Sequence, residues 1–149
     1  GVMEVRILFV CTGNTCRSPM AEGLARNILG EGYVVESAGL AAWEGDSASR
    51  HAIQILKEKG IDLAEHRARL VNEEMLAQAD WIIPMTKAQE MQLQAAFPEY
   101  KSKIKRLRAW EDPANGRDIQ DPWGGSLEIY RQCAAEIEEL LKKVKKSLE

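Results

Sequence analysis

Hydrophobic and polar positions alternate along the chain in blocks that predict strands and helices in turn. Short apolar, β-rich runs predict strands at 5–10, 33–37 and 81–85, with a short fourth strand at 104–107. Helical spacing and capping residues predict helices beginning at Ser18, over 47–59, 72–78 and 87–96, and along the last segment. That segment carries a stripe at i, i+3, i+4 and i+7: Leu127, Tyr130, Cys133, Ala134, Ile137, Leu140, Leu141 and Val144. The alternation predicts an α/β fold with a parallel sheet covered by helices on both faces.

The loop after the first strand contains the main cluster of candidate functional residues in the chain. In folds of this kind, ligands bind beyond the carboxyl ends of strands, which is where residues 11–18 lie. Backbone N–H groups at a helix N-terminus can cradle an anion, and Gly13 and Asn14 tolerate the left-handed backbone that such a cradle requires. Arg17 adds a guanidinium suited to two phosphate oxygens, and its charge favours the thiolate of Cys11. The loop therefore predicts a phosphate site and a nucleophile together.

Composition excludes several function classes. The 149 residues are 45% hydrophobic and 29% charged, which is typical of one soluble globular domain, predicted to span 1–149. A net charge of −3 does not favour nucleic-acid binding, and no apolar run reaches membrane-spanning length. Gly1 and Val2, before Met3, are interpreted as an expression remnant outside the fold.

Cysteine and histidine usage indicates compartment and cofactor needs. The chain has three cysteines and two histidines, no Cys-x-x-Cys motif and no signal-like start. An odd cysteine count of this kind fits a reducing compartment, so we expect a cytoplasmic protein without a disulfide framework. No metal and no cofactor is expected. Because a domain of this size needs no partner to fold, a monomer is expected as well.

A longer string around this loop resembles a known family. Residues 11–19 are similar to the Cys-x-Gly-Asn-x-Cys-Arg-Ser-Pro loop of low-molecular-weight protein tyrosine phosphatases. The resemblance covers nearly the whole chain and includes Met20-Ala21-Glu22, Ser37-Ala38-Gly39, His66-x-Ala68-Arg69 and Asp121-Pro122. It implies a four-stranded parallel sheet with flanking helices, catalysis without a metal, phosphorylated proteins as substrates and a phosphocysteine intermediate.

The resemblance also implies roles for individual residues. Cys11 would attack phosphorus in line, while Arg17 and the loop would hold the phosphate oxygens as charge develops. Asp121 would protonate the leaving atom and then activate the water that hydrolyses phosphocysteine. The binding loop comprises Thr12, Gly13, Asn14, Thr15, Cys16 and Ser18.

Supporting roles are implied around the loop. Ser18 would donate to the Cys11 thiolate, and Asn14 would shape the loop, braced by Ser37 and His66. Spacing alone does not decide which of Asp112, Asp118 and Asp121 is the general acid. The family pattern, Asp-Pro followed by an aromatic residue just before the last helix, fits Asp121.

Position 15 bears on the substrate. Tyrosine-directed members usually carry an aliphatic residue there, whereas the bacterial protein-arginine phosphatases that this chain resembles carry threonine. The hydroxyl of Thr15 can bond a guanidinium N–H, which is worth about 0.5–1.5 kcal/mol or about 1.5–3 if charge-assisted. Trp43 and Trp123 are expected to wall the pocket, where an aromatic face can stack on a guanidinium. The sequence therefore predicts a protein-arginine phosphatase, with a tyrosine phosphatase as the alternative.

Two further alternatives share the loop. Arsenate reduction needs additional cysteines in a mobile segment, and residues 86–110 contain none. A non-catalytic phosphocysteine carrier would leave Arg17 and Asp121 without a role. Within the phosphatase interpretation, Cys16 is expected to trap oxidised Cys11 in a reversible disulfide, as the family resemblance implies. Cys133 is expected to be a core residue.

Overall fold

The computed structural model describes residues 3–149, so Gly1 and Val2 lie outside the described residues. Within residues 3–149 there are three strands: β1 (Val5–Cys11), β2 (Tyr33–Gly39) and β3 (Trp81–Pro84). Five α-helices alternate with them: α1 (Arg17–Leu29), α2 (Arg50–Glu58), α3 (Glu73–Gln78), α4 (Lys87–Ala96) and α5 (Leu127–Leu148). Two short 3₁₀ helices, Pro98–Lys103 and Leu107–Trp110, follow α4. The predicted α/β alternation is confirmed.

The sheet is parallel, with β1 in the centre and the order β2-β1-β3. β1 pairs with β2 along its whole length, from Val5 opposite Tyr33 to Cys11 opposite Gly39. β2 therefore extends two residues beyond its predicted end at Ser37. This register places the carboxyl ends of β1 and β2 side by side, at the edge where the Cys11 loop begins.

The prediction of a fourth strand at 104–107 is wrong, and the sheet has three strands. Only Ile104 pairs with β3, through a single parallel bridge to Ile82, closed by the 2.9 Å bond from Lys105 N to Ile82 O. The next ladder bond would run from residue 84 of β3 to the carbonyl of Lys105, and Pro84 has no N–H to donate. The chain instead turns into the 3₁₀ helix at Leu107.

Alternate side chains of β1 enter two separate cores, as expected for a strand buried on both faces. Ile7, Phe9 and Cys11 join the larger core, which is formed with α1, α2 and α5. Leu8 and Val10 join a smaller core under α3 and α4. Cys11 is thus the last inward-facing residue of the central strand, where the larger core meets the loop.

Three helices begin away from their predicted first residues. α3 begins at Glu73 rather than 72, because Asn72 is its N-cap and accepts a bond from Met75 N. α1 begins at Arg17 after Cys16, with no side-chain cap, because the hydroxyl of Ser18 bonds inside the loop instead of capping the helix. α2 begins at Arg50 rather than 47, because Ser49 is its N-cap and accepts a bond from Ala52 N. No α-helix within residues 3–149 is long and apolar enough to cross a bilayer.

Candidate active site

The loop between β1 and α1 curls around the sulfur of Cys11. Asn14 is the one non-glycine residue within 3–149 with a positive φ, 57°, a conformation that asparagine tolerates better than most residues. This turn brings Asn14 N to 3.3 Å from Cys11 Sγ. The sulfur therefore accepts a backbone N–H from its own loop.

The side chain of Asn14 holds the loop from behind. Arg69 N donates to Asn14 Oδ1 at 2.9 Å, and since a backbone N–H can only donate, this fixes which amide atom is oxygen. Nδ2 then donates to Ser18 Oγ and to Ser37 Oγ, both at 2.9 Å. His66 Nε2 lies 2.8 Å from the carbonyl of Asn14, so this nitrogen carries the proton. The predicted grouping of Asn14, Ser18, Ser37 and His66 is present.

The direction of these bonds assigns the proton on Ser18. Ser37 donates its own proton to Glu22 Oε1 at 2.6 Å, so it accepts from Asn14. Ser18 Oγ likewise accepts from Asn14, which leaves its proton free for Cys11 Sγ at 2.9 Å. Cys11 Sγ thus faces two donors, one hydroxyl and one backbone N–H. Such donors stabilise a thiolate more than a neutral thiol.

Arg17 lies at the start of α1 with its side chain turned inward, and the residue is only 6% exposed. Its Nη1 donates to Ile119 O at 2.9 Å, and its Nη2 lies 3.8 Å from Asp121 Oδ2. Its Nε is buried and has no hydrogen-bond partner within the described chain. A buried guanidinium N–H without an acceptor destabilises the folded protein, so a ligand that brings an acceptor to Nε would remove this cost.

The three candidate acids lie in different surroundings. Asp121 pairs with Arg17 and also accepts from Trp123 N at 3.1 Å, which orients its carboxylate beside the loop. Asp118 accepts from Lys87 N at the start of α4, and Asp112 accepts from Ala114 N in a turn. Only Asp121 lines the same cleft as Cys11.

A cleft of about 270 Å³ opens above the loop. Trp43 and Trp123 line it and are 80% and 74% exposed, so they stand at its mouth rather than in the core. Trp81 and Trp110 instead pack edge to face, with ring centroids 4.9 Å apart, away from the cleft. The complete lining is Cys11, Thr12, Gly13, Thr15, Cys16, Arg17, Trp43, Asp46, Asp121 and Trp123.

Cys16 is tied to the neighbouring helices. Its Sγ lies 3.3 Å from Tyr130 OH and 3.5 Å from Ser49 Oγ. Burial, together with the bond to Cys16, raises the pKa of Tyr130 from 10.0 to about 12. Thr15 is held through its backbone, where its carbonyl accepts from Ser49 N at 2.8 Å.

Two residues that the sequence analysis gave no role support the loop. Gln89 is buried, accepts from Met85 N and Thr86 N, and donates to Thr12 Oγ1 at 3.1 Å. The spacing of Thr86 and Gln89 in the sequence is that of a capping box, which predicts that the Gln89 side chain bonds the helix N-terminus. It does not predict the bond from Gln89 to Thr12. Gly39 lies so close to the backbone of the loop that a Cβ on it would be only 2.5 Å from Thr12 O.

Asp46 was not predicted as a site residue either. It lines the cleft, and its carboxylate forms no hydrogen bond or ion pair with any residue in 3–149. Its backbone is nevertheless fixed, since Asp46 N donates to Trp43 O and its carbonyl accepts from Ala68 N at 2.7 Å. The cleft therefore carries two carboxylates, on Asp46 and Asp121. The described residues include no group of three or more histidine, cysteine or carboxylate side chains placed to hold a metal ion.

Known proteins share both the sequence and the fold. The family described as low molecular weight phosphotyrosine protein phosphatase matches residues 6–149. A protein-arginine-phosphatase of Geobacillus stearothermophilus is 44% identical over 147 residues, covering 99% of this chain and 98% of the relative. A solved YwlE arginine phosphatase from the same organism superposes with a TM-score of 0.91 at 43% identity, covering 97% of this chain and 92% of the other.

A second solved structure adds a chemical detail. It is a YwlE arginine phosphatase mutant with a phosphorylated active-site serine, 38% identical, with a TM-score of 0.91 and coverage of 97% of this chain and 95% of the other. The family match and both structural matches extend over nearly the whole chain, including the loop around Cys11. The chain therefore belongs to the low molecular weight phosphotyrosine protein phosphatase family.

Proposed function

We propose that this protein is a cysteine-dependent phosphatase that hydrolyses phosphoarginine in proteins, acting as a monomer in the cytoplasm. The observation that carries the proposal is the loop from Cys11 to Ser18. It holds a sulfur that faces two hydrogen-bond donors and a buried guanidinium with an unpaired N–H. A bound phosphoryl group would satisfy both the loop amides and Arg17.

In the first step, the thiolate of Cys11 attacks phosphorus and forms the S–P bond as the P–N bond of phosphoarginine breaks. Asp121 gives its proton to the leaving nitrogen, so arginine departs as a guanidinium. Arg17 and the loop amides hold the phosphoryl oxygens while charge is redistributed over them. The Trp123 N–H bond to Asp121 keeps the carboxyl group facing the cleft.

In the second step, water attacks phosphorus and the S–P bond breaks. Asp121, now a carboxylate, takes a proton from that water, and inorganic phosphate leaves. The Cys11 thiolate is restored with its bonds from Ser18 and Asn14. The acid of the first step thus becomes the base of the second, and no external reactant besides water is needed.

The proposed substrate rests on the side chains of the cleft and on the relatives named for arginine dephosphorylation. Beside Asp121, Thr15 and Asp46 line the cleft and offer a hydroxyl and a carboxylate. The guanidine group of phosphoarginine brings N–H donors that these acceptors can bind, whereas the phenyl ring of phosphotyrosine brings none. Trp43 and Trp123 at the mouth can stack on either a guanidinium or a ring. The aromatic mouth therefore does not separate the two substrates, and the alternative, a tyrosine phosphatase, is supported by the family to which the chain belongs.

We further propose that Cys16 protects the nucleophile from irreversible oxidation. Peroxide would convert the Cys11 thiolate to a sulfenic acid, and attack by the Cys16 sulfur would then form the disulfide and release water. Cys16 would have to leave its contact with Tyr130 OH, so the trap involves movement of the loop. Absence of a Cys11–Cys16 peptide in peroxide-treated protein, examined by mass spectrometry, would contradict this role.

The nucleophile can be tested by substitution of Cys11. Cys11→Ser is expected to lose turnover of a phosphoarginine peptide, because a serine hydroxyl lacks the thiolate's nucleophilicity at neutral pH. Cys133→Ser makes the same substitution on α5 and keeps a donor for the carbonyl of residue 120, so it serves as the matched control and should keep turnover. Turnover retained by Cys11→Ser would overturn the proposed mechanism.

A further inference from the structure

The loop that carries Asp121 has little structure of its own. This segment, the acid loop (residues 111–126), contains no helix or strand. Only Ile119 and Pro122 within it are buried. A cleft of about 210 Å³ is lined by acid-loop residues such as Ile119 and by α5 residues such as Glu136. Apolar packing alone therefore does not fix the loop.

Three arginines from other parts of the chain bind the backbone of the acid loop. Arg106 Nη2 donates to the carbonyls of residues 113 and 115, at 3.1 and 2.9 Å. Arg108 Nε donates to the carbonyl of residue 117 at 3.4 Å, and Arg17 Nη1 to that of residue 119 at 2.9 Å. The bound carbonyls are spaced two residues apart, at 113, 115, 117 and 119, and the next residue in the series is Asp121.

Arg106 and Arg108 are themselves held in place. Both are 8% exposed, and each is paired with a carboxylate on a helix. Arg106 bonds Glu90 of α4 through Nη1 at 3.3 Å, and Arg108 bonds Glu136 of α5 through Nη2 at 2.6 Å. Buried, carboxylate-paired guanidinium groups keep a fixed orientation, unlike the exposed ion pairs on the surface. The acid loop is thus attached to rigid helices on two sides.

We infer that Arg106 and Arg108 are positioning residues for the proton transfer by Asp121. They touch no reacting atom, and they act by holding the backbone that leads to the acid. Displacement of a catalytic group by about 1 Å can cost about a hundredfold in rate, so loss of an anchor should weaken acid catalysis selectively. This inference rests on the proposed function of Asp121 as the general acid.

The test measures kcat/KM for a series of aryl phosphates, from a good leaving group (p-nitrophenol) to a poor one (phenol), and for a phosphoarginine peptide. Because kcat/KM reports the first step, it depends on leaving-group protonation and not on hydrolysis of phosphocysteine. Arg108→Met removes the guanidinium that binds the acid loop. Glu136→Gln removes the negative charge that pairs with that guanidinium. Glu128→Gln is the control, since it breaks an exposed pair with Arg131 on the same helix.

In Arg108→Met we expect about a tenfold or larger loss on the poor leaving groups and a much smaller loss on p-nitrophenyl phosphate. Glu136→Gln should show the same pattern at smaller amplitude, and Glu128→Gln should match the parent protein. Thermal unfolding of each variant separates this pattern from a general loss of folded protein. An equal loss on every substrate, or no loss, would overturn the inference. A parent protein that hydrolyses none of these substrates would instead overturn the proposed function.

Discussion

At the scale of single residues, the site combines a cysteine nucleophile with hydrogen bonds that point at its sulfur. A buried cysteine is common, but this sulfur faces Ser18 and a backbone N–H, and Asn14 sets the orientation of both. The residues of the loop alone predicted an anion cradle with a left-handed backbone at Asn14, whereas the bond from Ser18 to Cys11 followed from the family resemblance. Ser37 and His66 followed only from the family resemblance, since 23 and 52 residues separate them from Asn14.

Asp121 can be tested against a matched aspartate. Asp121→Asn should lower kcat by about 10²–10⁴, the usual effect of losing a general acid or base. Asp112→Asn changes the same chemical group in another Asp-Pro pair, outside the cleft, and should leave kcat unchanged. Steady-state assays on a phosphoarginine peptide measure both. An equal effect of the two substitutions would remove Asp121 from the mechanism.

Thr15 is the residue most directly tied to the choice of substrate. Thr15→Ile replaces a hydroxyl at the cleft with an apolar group, which suits a phenyl ring and cannot bond a guanidinium. The ratio of kcat/KM for phosphoarginine over phosphotyrosine peptides should fall by between a few-fold and about a hundredfold, in line with the loss of one hydrogen bond. An unchanged ratio would assign Thr15 to the local structure of the loop.

At the scale of elements, sequence patterns predicted the strand and helix order but failed where a contact overrides local preference. A short fourth strand was predicted at 104–107, in keeping with the four-stranded sheet that the resemblance implies, and a proline on the neighbouring edge reduced it to one bridge. Ser18 was predicted as a helix cap, and its hydroxyl bonds Cys11 instead. The contacts of Gln89 with Thr12, and of Arg106 and Arg108 with the acid loop, join distant segments and have no local signal.

The close approach of β2 to the loop yields an element-scale prediction. A Cβ on Gly39 would lie 2.5 Å from Thr12 O and 3.0 Å from Asn14 N. Gly39→Ala must therefore push the loop outward, and we expect a loss of about 1–3 kcal/mol in stability together with reduced turnover. Gly116→Ala is the control, because a Cβ there meets no atom within 4 Å. Urea unfolding compares the two, and equal stability would contradict the close approach.

At the scale of the whole molecule, α5 connects the larger core to the loop. Its buried stripe includes Tyr130 and Cys133, as predicted, and Tyr130 reaches the loop through Cys16. Burial raises the pKa of Cys133 from 9.0 to about 12, and burial is also the main cause of the raised pKa of Tyr130. The folded protein therefore retains two protons that the unfolded chain releases at lower pH.

This difference predicts the direction of alkaline destabilisation. Since both folded-state pKa values lie above their unfolded values, the stabilisation is fully present below about pH 9 and is lost as the pH rises towards about 12. The free energy of unfolding should fall by about 1.4 kcal/mol per pH unit for each group that is ionised only in the unfolded chain. Cys133→Ala should make this slope shallower. Urea unfolding at a series of alkaline pH values measures it, and an unchanged slope in the variant would contradict the burial of the Cys133 thiol.

The most direct test of the central claim compares kcat/KM on matched phosphoarginine and phosphotyrosine peptides, with Cys11→Ser as the blank for spontaneous P–N hydrolysis. The cleft, which Thr15 and Asp46 line with hydrogen-bond acceptors for a guanidinium, predicts a clear preference for phosphoarginine. A preference for phosphotyrosine would leave the chemistry of Cys11, Arg17 and Asp121 in place but contradict the assignment of arginine as the dephosphorylated residue.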